Sequence, residues 1–284
     1  MLLLGGVTDF NCYLQLEHSS PAEKTAMNNY VGRINLLLSN GRFQAGIGVV
    51  YPIESMWTKF TPRFHRVAGW KEVTGATPGV NRIDQTFRDV SQFLFEKRWE
   101  YLHLDAQALT DAKVSKDGLA HGQFLFTTII LPCVDTLPAE AWARLLAFAK
   151  AGGKIIVVGE MPLNSDVNFP DAMVRDAFAR HPNVTFMSDW SAPKLESLLL
   201  ENMTKPVRLK DDTLPVRMTH RVVDGRNVFF VINDSELPIS AEATFECPGA
   251  LEAWDPETGD IRSLANPSAI ALKPYHGKVY RQTP

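Results

Sequence analysis

Three acidic residues stand directly behind apolar, strand-like runs: Glu54 after VVYPI, Asp105 after YLHL and Glu160 after IIVVG. In an open α/β sheet, ligands sit beyond the C-terminal ends of the strands, so these carboxylates could share one rim. Glycoside hydrolysis needs two carboxyl groups facing across one sugar bond, roughly 5–10 Å apart. One protonates the leaving oxygen, and the other acts as nucleophile or water-activating base. Glu54, Asp105 and Glu160 are therefore the candidate catalytic residues. The competing use is ordinary: strand-end carboxylates commonly cap helices, bind loop amides or face water.

The other reactive groups are weaker signals. Cys133 follows an apolar strand, as a nucleophile can, but a nucleophile elbow wants small residues around a sharp turn. The sequence Leu131-Pro132-Cys133-Val134-Asp135 has no flanking glycine, and neither His121 nor His181 is fixed as its base. The three cysteines, Cys12, Cys133 and Cys247, are far apart and form no CxxC or Cys/His cluster. They read as free thiols, and no metal or cofactor is expected. Gly152-Gly153 and Gly159 do not form a phosphate loop, because G-x-G-x-x-G should follow the first strand and Tyr51-Pro52-Ile53-Glu54 stands there. Trp57, Phe60, Phe64 and Trp70 crowd a long irregular stretch, 53–81. Aromatics of this kind stack on sugar faces or pack against a sheet. Trp57 and Trp70 are the candidate substrate-binding residues, and Trp254 and Tyr275 pose the same question later in the chain.

The elements that would position these groups can be read from pattern. A helix over 21–39 starts at Ser20 with Pro21 in the first turn and Glu23 completing a capping box. Its apolar face carries Met27, Tyr30, Val31, Ile34, Leu37 and Leu38, and Asn40-Gly41 stops it. Strands and helices then alternate. Strands are expected over 45–52, 101–105, 124–132, 154–160 and 183–189, with helices over about 83–98, from Pro138 to Gly152, around Val174 to Phe178, and around Leu195 to Leu199. Continuous apolar strands separated by helices predict an α/β domain with a flavodoxin-like, doubly wound parallel sheet of about five strands. After Pro206 the period changes to two. VRMTHRVV alternates, Asp224-Gly225 signals a hairpin, and NVFFVIN returns, so a smaller antiparallel β-sandwich is expected to follow. The expected organisation is 1–44 as an N-terminal strand or loop plus capped helix, 45–205 as the α/β domain, and 206–284 as the sandwich.

Together these segments resemble a known arrangement. YVGRINLLLSNGRFQAGIGVVYPIESMW resembles the segment leaving the catalytic barrel in α-L-rhamnosidase-type bacterial glycoside hydrolases. In the same pattern Asp84 opens a helix, YLHLDAQAL gives a strand and its Asp, Leu131-Pro132 ends a strand, and a helix leads into AGGKIIVVGE. The sheet domain also resembles the trimerisation domain of certain β-galactosidases and the glutamine-amidotransferase-like fold. WDPETGDI, from Trp254 to Ile261, resembles the closing β-domain of the same enzymes. The resemblance implies a glycoside hydrolase's C-terminal part without its catalytic barrel, of which 1–44 is a possible remnant. The two barrel carboxylates of such enzymes match no residue here. Three functions follow from it: an accessory portion that is not catalytic alone, a glycosidase acting on plant or bacterial polysaccharide with a site completed by another segment or chain, or a carbohydrate-binding module. The implied partners are carbohydrate, and a further copy or a catalytic domain.

Composition narrows the remaining classes. The chain has 284 residues, 45% apolar and 21% charged, with a net charge of -3. That is ordinary for a folded two-domain protein. There is no basic bias toward nucleic acid and no apolar run of the roughly 18 residues needed to cross a membrane. MLLLGGVTDFN lacks the basic start and unbroken apolar core of a signal peptide, so the chain as it stands is expected to be cytoplasmic, although enzymes of the resembled kind are often periplasmic or secreted.

Overall fold

The computed structural model describes residues 4, 5, 7, 16–61 and 77–283. The opening strand expected before residue 16, Cys12, Phe64 and Trp70 lie outside the described residues. Two compact units divide the chain: Ala45–Leu94 with Tyr101–Leu198, and Met1–Gln44 with Phe95–Glu100 and Leu199–Pro284. The segment 1–44 thus falls in the same unit as the sandwich, together with the short passage 95–100.

The first unit is built on five parallel strands: β1 (Ile47–Val50), β2 (Tyr101–Leu104), β3 (Thr128–Pro132), β4 (Lys154–Val158) and β5 (Val184–Met187). They lie side by side in the order β2-β1-β3-β4-β5. β1 and β3 are buried along their whole length, as continuous apolar strands covered on both faces must be. Trp142, Leu145, Phe148 and Ala149 bury one face of the helix Ala139–Lys150. Just past its end, Gly152 has a φ of 107° that lets the chain turn back into β4.

The structure corrects three boundaries. The run 124–132 is two strands, not one: Phe124–Phe126 joins Lys113–Ser115 and Gly118–His121 in a small antiparallel sheet, and β3 begins at Thr128. Two short apolar strands separated by one residue look like one strand in sequence. The stretch after β1 is not wholly irregular, since Ile53–Trp57 is a helix. The next helix runs Pro78–Glu96, so Asp84 does not open it; Asp84 pairs instead with Arg88 one turn on, at 2.8 Å.

The second unit contains a six-stranded and a three-stranded antiparallel sheet. Its strands are β6 (Val207–Leu209), β7 (Val216–Val223), β8 (Arg226–Asn233), β9 (Ile239–Phe245), β10 (Leu251–Trp254), β11 (Ile261–Leu264), β12 (Ser268–Leu272) and β13 (Gly277–Gln282), with Arg42–Phe43 at the edge beside β7. Val216, Phe229 and Tyr280 of the larger sheet meet Val207, Phe245 and Leu272 of the smaller one in a common core. The alternate residues of β8, Val228, Phe230 and Ile232, pack with Ile34 and Leu38 of the helix Pro21–Leu38. β8 is therefore covered on both faces, which is why it reads as an unbroken apolar run rather than an alternation. The helix has the full Ser20–Glu23 capping box, although Met27, placed on its apolar face by spacing, is exposed. The hairpin turn between β7 and β8 is Asp224-Gly225, both at positive φ. Among the described residues no helix is long and apolar enough to cross a membrane.

Candidate functional site

In the parallel sheet β1 lies between β2 and β3, so the strand order reverses beside it. The crevice beyond the C-terminal ends of β1 and β3 is the place where such sheets bind ligands. The loops leaving those strands are stitched together by one buried side chain. Ser55, in the helix after β1, accepts the N–H groups of Asp135 and Thr136 at 3.1 and 3.0 Å, and its hydroxyl donates to the Thr136 carbonyl at 3.3 Å. Asn164 donates to the Thr136 hydroxyl, and its carbonyl takes the indole N–H of Trp142.

Over this base sits a group of four charges. Lys59 forms a short ion pair with Asp135 and a second one with Glu160 at 3.4 Å, and Arg82 lies 3.7 Å from Glu160. Asp135 is buried and takes a further hydrogen bond from the Thr136 hydroxyl at 2.8 Å. Two cations face two anions, so the group is self-neutralising. Sequence reasoning found Glu160 but missed Lys59, Asp135 and Arg82. The available signal was that Lys59 and Asp135 lie in the loops after β1 and β3, the two strands that flank the crevice.

The other two candidates behave differently. Asp105 caps the helix Ala106–Asp111, its carboxylate accepting the Ala108 N–H at 2.7 Å, and it is exposed. Glu54 stands in the first turn of the helix Ile53–Trp57 with one carboxylate oxygen buried and without a hydrogen-bond partner. Burial, and secondarily the charge of Asp105, push its carboxyl above the usual range. The three sequence-derived carboxylates thus occupy strand ends, but Asp105 is committed to a helix amide and Glu160 to two cations. Trp57 is 67% exposed.

Cys133 has the backbone shape of an elbow without its chemistry. Its φ is 49°, an unusual value for a residue with a side chain, and its N–H donates to the Val158 carbonyl at 2.7 Å. The thiol is fully buried, 3.3 Å from the Thr86 hydroxyl, and burial raises its pKa above the ordinary thiol value. A buried thiol held in its protonated form is a poor nucleophile. Its space is provided by Gly159 (φ 88°), where a Cβ would come within 2.4 Å of the sulfur. Among the described residues no group of three or more His, Cys, Asp or Glu side chains is arranged to hold a metal.

No family model matches the sequence, and no curated protein matches it. Solved structures do match the fold. The rhamnosidase from Novosphingobium sp. PP1Y superposes with a TM-score of 0.63 at 19% identity, over 90% of this chain and 24% of its own. The β-galactosidase from Bacillus circulans sp. alkalophilus gives 0.60 at 10% identity, over 92% of this chain and 45% of its own. The chain therefore spans between about a quarter and under half of the length of these structures, and it has a glycoside hydrolase-like fold.

Proposed function

We propose that this chain is the accessory portion of a glycoside hydrolase and does not hydrolyse glycosides by itself. The observation that carries this reading is the state of the rim. Asp135 and Glu160 share the Lys59 ammonium, and Asp105 is used as a helix cap. A glycosidase needs one carboxyl that holds a proton and another free to attack or to activate water. Carboxylates engaged with cations and helix amides serve structure instead, and Glu54, whose buried oxygen has no partner and whose carboxyl is raised, is left without a free second carboxylate to work with. The finer fold reading, a flavodoxin-like and amidotransferase-like sheet, draws support from the strand order. The rhamnosidase-type origin draws support from the Novosphingobium superposition.

The experiment is an assay of the purified chain against aryl α-L-rhamnosides and aryl β-galactosides. No turnover above buffer is expected. Turnover abolished by Glu160→Gln or Glu54→Gln would contradict the proposal. A second reading, sugar binding without catalysis, is favoured by exposed aromatics. Trp57 is 67% exposed, and Tyr275 is 69% exposed on a turn where its φ of 54° would suit glycine better. In this reading, titrating the same preparation with oligosaccharides changes tryptophan fluorescence, and no change at millimolar sugar removes it.

A further inference from the structure

Away from the rim, the β-sandwich unit buries a carboxylate and an imidazole against each other. Glu100 accepts the backbone N–H of His220 in a short hydrogen bond through Oε1, and its Oε2 lies 3.3 Å from His220 Nδ1. Both residues are buried. The imidazole is sandwiched on its other side by Phe229, its cross-strand neighbour, stacked at 4.3 Å with the ring planes 14° apart. The second ring nitrogen, Nε2, is 2.8 Å from Asn227 Oδ1.

The protonation of this ring follows from a chain of hydrogen bonds. The backbone N–H of Asn227 can only donate, and it donates to the Gln282 side chain at 3.2 Å, so that atom is the amide oxygen. The same oxygen is 2.7 Å from the Asn227 side chain, which must therefore present its NH2 there. The Asn227 carbonyl oxygen is then left facing His220, and Nε2 must carry a hydrogen. With Nε2 protonated, a neutral ring would turn a bare Nδ1 lone pair toward the buried Glu100 carboxylate. Two acceptors facing each other without a hydrogen are costly away from water.

We propose that Glu100 and His220 hold one shared proton in the Nδ1–Oε2 contact, and that its loss makes the β-sandwich unit pH-sensitive. Among the described residues, the nearby charges have partners. Arg221 is the further charge acting on Glu100, and its Nη1 donates to the Leu38 carbonyl at 3.0 Å. On the segment that carries Glu100, Lys97 and Arg98 pair with Asp212, and Glu96 pairs with Arg217. Burial raises the Glu100 carboxyl to about 7 from an ordinary 4.5. A carboxyl that keeps its proton longer in the fold than in the unfolded chain favours folding below the ordinary carboxylate range. That advantage is lost as the pH climbs through about 7. The place that should loosen is the strand edge at His220, whose carbonyl accepts the Gln44 N–H and whose neighbours Arg221 and Val222 pair with Phe43 and Arg42.

The test compares denaturant midpoints from pH 5 to 9 for the wild type and Glu100→Gln. Glutamine keeps a carbonyl for the His220 N–H and presents a fixed N–H to Nδ1. Wild type should lose stability through neutral pH, and the difference from Glu100→Gln should shrink or reverse as the pH falls. Parallel profiles for the two proteins would overturn the proposal. Should Glu100→Gln fail to fold, ring 15N spectra of wild-type His220 decide instead. Nε2 protonated across the range, with the Nδ1 environment changing near neutrality, supports the shared proton. Nε2 without a hydrogen at high pH refutes it.

Discussion

Two charge clusters of this protein solve opposite problems. At the rim of the parallel sheet, Lys59, Arg82, Asp135 and Glu160 balance two positive charges with two negative ones, and all but Asp135 keep contact with water. In the sandwich unit, Glu100 is buried, with Arg221 as a nearby charge and as its ring partner one imidazole whose second nitrogen is tied to an amide relay. The first cluster should lose less on substitution than the second, because solvent and neighbours share the load. The second has no such reserve, since removing one partner leaves a buried group uncompensated.

Substitutions in the two units should differ in cost. His220→Ala should have the largest effect: it removes a buried ring stacked on Phe229 and takes a partner from both Glu100 and Asn227, and should cost about 3–5 kcal/mol, read as a fall in denaturant midpoint at pH 6. Gly159→Ala should come next. The residue sits at φ 88° with a Cβ position 2.4 Å from the Cys133 sulfur, so strain of about 1–3 kcal/mol is expected, and Cys133→Ala should recover part of it. A loss at the rim equal to that at His220 would erase the contrast.

Much of the scaffold was legible in the sequence. The Ser20–Glu23 capping box, the Asp224-Gly225 hairpin and the apolar parallel strands are local signals, written within a few residues. The split at Thr127 was hidden because FLF and TIILP are equally apolar, and only their partner strands distinguish them. Site chemistry was less accessible. Glu54, Asp105 and Glu160 were found by position after strands, but position does not reveal what each carboxylate binds. Lys59 is 76 residues from Asp135 in sequence, and Glu100 is 120 from His220. Pairings over such separations are set by strand order, not by spacing along the chain.

On the proposed function the rim charges serve one another rather than a substrate. A double-mutant cycle on Lys59→Ala and Asp135→Ala, read by equilibrium unfolding, measures this directly. A favourable coupling of about 0.5–3 kcal/mol is expected, with each single substitution destabilising. Zero coupling, or single variants more stable than the wild type, would contradict it and leave Asp135 and Glu160 as groups held ready for chemistry.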